Sequence, residues 1–355
     1  MYSVYSLFFS TYQISLQNIS YLFIISQLTK IIFDIIFGFI LNNISRKKIF
    51  VFACSLRLIA ISLWIYHPTF ATFAVGMGII GIHMSSFFQH FEGYLYDICP
   101  KEQNYTKILG KYYSMMNLSI LTTSFFLTKF DAINDINFVL QVQLGITILS
   151  VFCIILIPNN ITILQKKNIF QNIKNIFTKK TTPIILTLVM TEGLFMSFAN
   201  MISILTHEYS ASPTAAAKLL YVIAIIKIPL NYISGHIKIK KPIMLNTITL
   251  ILSLPLFILS GKFAIPGIFM YFILYTVSVI HIYNLVHSKI NPENRMTFAS
   301  IATILMSIFT IIFDYNIGKF GVNLGIVINI FSVTTVAIIL ATISSIFKEK
   351  EIFHQ

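Results

Sequence analysis

Basic residues in this chain gather at every second gap between long apolar runs, and that pattern leaves few folds open. A helix that crosses the hydrocarbon core of a bilayer needs about 20 apolar residues at about 1.5 Å each. Such runs lie at 19–42, 49–66, 70–97, 106–128, 136–157, 182–206, 214–235, 243–261, 264–288, 294–318 and 322–346. They are predicted to be helices α2 to α12, and a shorter apolar stretch, 1–11, precedes them as α1. The gaps after α2, α4, α6, α8 and α10, with the adjoining helix ends and the C-terminal tail, hold 18 of the 25 Lys and Arg residues. They run from Arg46, Lys47 and Lys48 in the first gap to Lys348 and Lys350 in the tail. The opposite gaps hold only Lys129, Lys262 and Lys319, and Lys30, Arg57, Lys218 and Lys227 lie within runs. Positive charge is retained on the cytoplasmic side during insertion, so the even gaps and the C-terminus are expected to face the cytoplasm. The fold class is an all-α integral membrane protein.

Composition narrows the partners. A mean hydropathy of +0.82 with 10% charged residues excludes a soluble globular domain, in which charged residues make up about a quarter. The net charge of +13 is placed by the loop pattern beside anionic headgroups, so the bilayer is the expected partner and nucleic acid is not. Cys54, Cys99 and Cys153 show no ligand or disulfide spacing, so no metal or cofactor is expected. Nothing basic precedes the first apolar stretch, and no signal peptide is expected. The abundance of Ile, Asn, Lys, Phe and Tyr suggests an AT-rich genome and a bacterial cytoplasmic (inner) membrane.

The organisation is bipartite. Residues 158–181 form the longest polar segment, and Ile163, Phe170, Ile173, Ile176 and Phe177 recur there at helical spacing among lysines. That describes an amphipathic helix on the cytoplasmic surface. It divides the chain into six-helix halves, 1–157 and 182–347, followed by a tail, 348–355. α1 reaches only about 16 Å at the helical rise, about half the hydrocarbon thickness. It is therefore expected to be truncated at its cytoplasmic end. Gly38 closing α2 before Arg46-Lys47-Lys48, and Gly235 closing α8 before Lys238, Lys240 and Lys241, form a faint repeat. It fits two parallel repeats about an axis along the membrane normal.

Three stretches resemble the major facilitator superfamily of transporters. Asp34-Ile-Ile-Phe-Gly38, then Asn42 and Arg46-Lys47-Lys48, resembles the signature turn after helix 2. Glu92-Gly-Tyr-Leu-Tyr-Asp97 resembles the acidic end of helix 4, and Lys107-Ile-Leu-Gly110 the small-residue entry to helix 5. The signature's loop Asp is Asn42 here, its following Arg is Asn43 and its loop Gly is Ser45. The resemblance implies a 6+6 helix bundle, with about eleven full transmembrane helices plus a partial first one. It also implies a cytoplasmic gate, weakened by the Asp-to-Asn change but retaining Arg46 and Lys47 to meet Asp97. A central cavity lined by α1, α4, α7 and α10 is implied as well.

Ionisable groups inside a membrane are costly, so each is a functional candidate beside its structural alternative. Lys30 and Asp34 sit four apart on one helix face and can pair; Asp34 is also a candidate proton carrier. Glu92 lies about 7.5 Å from the cytoplasmic end of α4, divided between proton coupling and the gate network. Glu192 lies near mid-span in α7, where a salt bridge to Lys227 competes with substrate or proton binding. Arg57 is expected to partner a neighbouring acid, and Asp314 to belong to an outer gate or the interface. Cavity-lining candidates are His83, Gln89, Asn200, Tyr271, Tyr275, His281, Tyr283 and Asn284, with His83 and His90 also readable as packing residues. Gly76-Met-Gly78-Ile-Ile-Gly81 matches a dinucleotide motif, but within an apolar span it reads as close helix packing. Pro229 and Pro255 are expected to bend α8 and α9.

The expected function is secondary active transport of a small solute by alternating access, coupled to protons through Asp34, Glu92 or Glu192, in a monomer. The alternatives are a degenerate homologue without transport, motivated by the short α1 and altered turn, and a membrane-embedded transferase. The short loops offer no assembled catalytic set for the latter, so no enzyme activity is expected.

Overall fold

Without water in the hydrocarbon layer, each backbone N–H and C=O must be satisfied within the chain, and the apolar runs meet that demand as helices. The computed structural model describes residues 5, 8, 9, 12–40, 45–98, 102–129, 136–156, 176–178, 181, 182, 184–193, 195, 196, 213–258, 264–290 and 295–320. Its helices are α2 (Leu16–Ile40), α3 (Arg46–Tyr66), α4 (Phe70–Ile98), α5 (Glu102–Lys129) and α6 (Ile136–Ile155). They continue as α8 (Pro213–His236), α9 (Pro242–Ile258), α10 (Ala264–Lys289) and α11 (Arg295–Phe320). Between α6 and α8, α7 is described over Ile184–Gly193. The predicted α12 and most of the 158–181 segment lie outside the described residues.

Local chemistry sets several helix starts. At α4 the amide of Thr69 donates to the Thr72 hydroxyl at 3.0 Å, and the amide of Thr72 returns to the Thr69 hydroxyl at 3.3 Å. Thr178 and Thr181 make the same exchange before α7, at 3.0 and 3.2 Å. In each pair the first threonine's hydroxyl takes an amide of the opening turn, and the second threonine's hydroxyl shares an amide that also reaches a main-chain carbonyl, His67 O or Ile176 O. α8 and α9 instead begin at Pro213 and Pro242, where the missing N–H costs nothing and φ is already helical. α8 runs through Pro229.

The polarity pattern is that of a protein in lipid. Ser26, Gln27, Asp34, Thr191, Asn231, Asn246, Ser278 and Thr310 are buried, while Leu28, Ile32 and Ile35 on α2 and Leu149, Phe152 and Ile155 on α6 are exposed. Buried hydroxyls close onto the backbone of their own helix, as in Ser86 to Ile82 O at 2.8 Å and Thr310 to Met306 O at 2.9 Å. Five described helices are long and apolar enough to cross a membrane: Gln17–Phe37, Lys47–Tyr66, Phe70–Phe87, Met270–Lys289 and Thr297–Asn316. α5 and α8 are comparably long, and they make the most extensive helix pair among the described residues. Their polar residues Thr106, Asn117, Asn231 and Ser234 are buried.

Helix pairing repeats along the chain. α4 packs on α2 and α3, and α10 packs on α8 and α9. The contacts joining these groups come as a matched set, α2 with α11 and α5 with α8. α5 and α8 run antiparallel. Gly110 meets Gly235 at one end, Ser114 donates to Ile228 O at 2.9 Å midway, and the rings of Phe125 and Tyr221 lie 6.4 Å apart at the other. A Cβ built on Gly110 would lie 2.6 Å from Asn231 O, and one on Gly235 would lie 2.7 Å from Thr106 O. Only glycine permits that approach of two backbones.

The described part of α1 is docked on this frame. Tyr5, Phe8 and Phe9 are buried around the single tryptophan, Trp64, with Phe73 closing the cluster. The Trp64 centroid lies 5.2, 5.8 and 5.6 Å from theirs in turn. Gln143 on α6 adds a hydrogen bond to the Tyr5 hydroxyl at 3.2 Å.

Candidate functional site

Lys30 and Asp34 stand one turn apart on α2, and both reach across to α11. The Lys30 ammonium donates to Ser307 Oγ at 3.0 Å, and the Thr303 hydroxyl donates to Asp34 Oδ2 at 3.0 Å. Asp34 is fully buried, in the electrostatic field of Lys30.

Glu192 enters from α7, buried to 7% exposure. Tyr275 and Tyr283, both on α10, and the ammonium groups of Lys227 and Lys30 all act on its carboxylate electrostatically. Tyr271 completes the tyrosine row. Its hydroxyl donates to Thr191 O at 3.0 Å, and its ring stacks on Tyr275 at 5.7 Å. Lys227 comes from α8, buried to 8% exposure. Its ammonium lies 4.6 Å from the centre of the Phe195 ring and 5.5 Å from that of Phe272, so two ring faces share the cation with the field of Glu192. The site thus gathers two lysines and two acids from α2, α7 and α8 under a row of tyrosines from α10.

A polar network fixes the α7 and α10 side of the site. Asn246 on α9 donates to Thr191 Oγ1 at 3.0 Å and accepts from Ser278 at 3.3 Å. His281 Nε2 lies 3.0 Å from Ser234 O, and Ser234 Oγ donates to Val277 O at 2.9 Å, so α8 and α10 are tied twice.

The other candidates divide by place. His83 is buried on α4 with Nδ1 2.8 Å from Ala53 O and its ring stacked on Phe87 at 5.8 Å. Arg57 on α3 acts on it electrostatically. Asn284 lies half-buried on α10, and Asp314 is buried on α11. Lys47 is partly buried in the first turn of α3. Gly38 and Arg46 lie in α2 and α3, and Gln89, His90, Glu92 and Asp97 in α4, but their side chains fall outside the described part. Asn42 and Asn200 lie outside the described residues altogether. The described cluster offers acids in the company of lysines and tyrosines, and among the described residues no three His, Cys, Asp or Glu converge to hold a metal.

One relation escaped the sequence reading although its signal is present. Extending the Gly38/Gly235 repeat backwards aligns Lys30-Ile31, Asp34, Ile36, Gly38 and Ile40 with Lys227-Ile228, Asn231, Ile233, Gly235 and Ile237. The two lysines that act on Glu192 therefore occupy equivalent positions of α2 and α8.

The Major Facilitator Superfamily model matches residues 1–313. The chain belongs to the major facilitator superfamily. Solved structures of membrane transporters share its fold. The human organic anion transporter MFSD10 (TETRAN) aligns with a TM-score of 0.64 at 12% identity, covering 92% of this chain and 83% of that one. The nucleoside transporter NupG aligns with a TM-score of 0.63 at 12% identity, covering 98% of this chain and 94% of that one. No curated protein matches the chain. The family accounts for the matched pairs α2 with α11 and α5 with α8 as the contacts of a transporter bundle, and for the exposed apolar faces as lipid-facing.

Proposed function

We propose that this superfamily member is a secondary active transporter that moves a small solute across a bacterial cytoplasmic membrane by alternating access, coupled to protons. The reading rests on the four-charge cluster of Lys30, Asp34, Glu192 and Lys227. It bridges the helices of two six-helix halves, 1–157 and 182–347, joined by 158–181. Charges at that depth are costly, and a carboxylate flanked by two lysines changes its grip on both when it gains a proton. Rocking the halves about the α2/α11 and α5/α8 seams would expose the cluster to one side and then the other, as a monomer with its even loops in the cytoplasm. Glu92, Asp97 and the turn of Gly38, Asn42, Arg46 and Lys47 would then act at the cytoplasmic gate, and His83, Gln89, Asn200, Tyr271, Tyr275, His281 and Asn284 along the solute path.

The test uses purified protein in liposomes, with fractions of a bacterial small-molecule extract as the solute source and a pH dye outside. A fraction that drives proton movement with the native chain, and none with Glu192→Gln, is the expected result. Absence of solute-driven proton movement with every fraction would favour an inactive homologue instead.

A further inference from the structure

We infer that Lys227, and not its repeat equivalent Lys30, is the residue that engages the solute, and that the solute is an uncharged aromatic molecule with a carbonyl-type oxygen acceptor. This rests on the transporter reading and names its substrate class.

The two seams supply the first argument, because they treat equivalent residues differently. Lys30 and Asp34 of α2 correspond to Lys227 and Asn231 of α8. On α11, Thr303 meets Asp34, and Ser307, one turn on, meets Lys30. On α5, Gly110 lies against the main-chain oxygen of Asn231, and Ser114 stands one turn on. Gly110 has no side chain to offer, and the Ser114 hydroxyl is taken up by Ile228 O and Gly110 O. Both side chains of the α8 pair are thereby released. Asn231 is 2% exposed, and its Nδ2 has no acceptor among the described residues. Lys227 is 8% exposed, and among the described residues its ammonium makes no hydrogen bond or ion pair. It lies instead over the rings of Phe195 and Phe272, at 4.6 and 5.5 Å from their centres.

The ammonium lacks an acceptor rather than a countercharge. A ring face attracts a cation but does not replace an oxygen acceptor for its three N–H donors. Glu192 acts on it through its field, and with Lys30 beside Asp34 the four charges sum to zero. A further net charge buried here would be strongly opposed. The missing partner is therefore a neutral oxygen, which satisfies the donor and leaves the sum unchanged.

The rings set the rest of the solute. Phe195 stands 4.8 Å from Phe272 and 4.7 Å from Tyr275, centre to centre. Phe272 and Tyr275 are buried, whereas Phe195 keeps accessible surface. An aromatic body beside this wall gains offset or edge-on ring contacts, with its oxygen at the ammonium.

Four solutes built on one ring test the assignment, each added to the purified full chain in detergent: benzamide, benzoate, benzylammonium and toluene. Benzamide should raise the unfolding temperature more than any of the other three. Its carbonyl stretch, read by difference infrared spectroscopy on the native protein, should fall below that of benzamide in detergent alone, because a charged donor weakens the C=O bond. Lys227→Met should weaken benzamide at least tenfold, the low end for a hydrogen bond to a charged group, and remove the shift. Lys227→Arg keeps a charged donor and should keep the shift. Lys30→Met loses the contact to Ser307, so it should lower the unfolding temperature of the unliganded protein yet keep the shift. Benzoate or benzylammonium binding better than benzamide would overturn the neutral acceptor. Toluene matching benzamide, or a shift that survives Lys227→Met or vanishes with Lys30→Met, would overturn the role of Lys227. Silence toward all four would remove the substrate class. Each of these results leaves the transporter reading standing on proton movement in the extract assay, and silence there as well would remove both.

Discussion

The two seams that join the helix groups hold the same place in the bundle but are built from opposite materials. At α5/α8, Gly110 and Gly235 bring backbone against backbone, and the hydrogen bond across the seam runs from Ser114 to a main-chain carbonyl. At α2/α11, the contact is made by an ammonium on a hydroxyl and a hydroxyl on a carboxylate. One seam is held by shape, the other by charge. A steric seam tolerates no added atom, whatever the pH. A seam of Lys30, Asp34, Ser307 and Thr303 responds to every change of charge beside it, and Glu192 is the charge it borders. The pair therefore sets a close-packed contact on one side of the bundle against a charged, hydrogen-bonded contact on the other.

The largest expected effect breaks the charged side. Among the described residues, Lys227→Met leaves Lys30 as the cation that acts on Glu192. Removing one partner of a buried charge pair costs about 3–5 kcal/mol, because the other charge is left uncompensated. Glu192→Gln in the same background removes that charge, so the double variant should regain more than half of the loss. Unfolding of the single and double variants in detergent measures the coupling. Additive losses would mean that the two groups do not share one field.

How much of this is legible in sequence depends on the kind of interaction. Apolar length and loop charge are local properties, so the helices from α2 to α11 are predicted to within a few residues where the structure describes them, and the fold class follows. Lys30, Asp34, Glu192 and Lys227 are each visible as charges in apolar runs, because a charge there is costly wherever it points. Their partners are not. That Lys30 and Asp34 both reach α11 depends on how residues 269 and 277 positions apart in sequence are brought together, and no local pattern encodes that. Lys227 illustrates the point again. An acid in a nearby span offers a salt bridge, whereas packing sets its ammonium over Phe195 and Phe272. Gly110 and Gly235 are separately noticeable as small residues closing or opening helices, but their contact is a property of the fold.

The steric seam is tested next. A methyl group at Gly110 would meet a main-chain oxygen, and so would one at Gly235. Neither oxygen can move without its helix. Overpacking of that kind costs about 1–3 kcal/mol, so Gly110→Ala and Gly235→Ala should each lower the unfolding temperature, with no dependence on pH. Gly145 has nothing within 4 Å of a built Cβ, and Gly145→Ala should be neutral or slightly stabilising, since alanine favours the helix by about 1 kcal/mol over glycine. Equal behaviour of all three variants would remove the steric account.

The finest comparison removes one hydroxyl from each seam. Thr303→Val deletes the donor to Asp34, and Ser114→Ala the donor to Ile228 O. Each hydroxyl also has acceptors on its own helix, Ala299 O at 2.9 Å and Ser300 O at 3.0 Å for Thr303 and Gly110 O at 2.8 Å for Ser114, so a single proton is shared in both cases. The difference lies in the partner across the seam. A hydrogen bond to a charged group contributes about 1.5–3 kcal/mol and one to a neutral carbonyl about 0.5–1.5 kcal/mol. Thr303→Val should therefore cost more than Ser114→Ala. If Asp34 is the charge responsible, Asp34→Asn should shrink the gap between them, because a neutral amide oxygen has less to lose. A gap of the same size in the Asp34→Asn background would place the strength of this seam in packing, and the two seams would then differ in geometry alone.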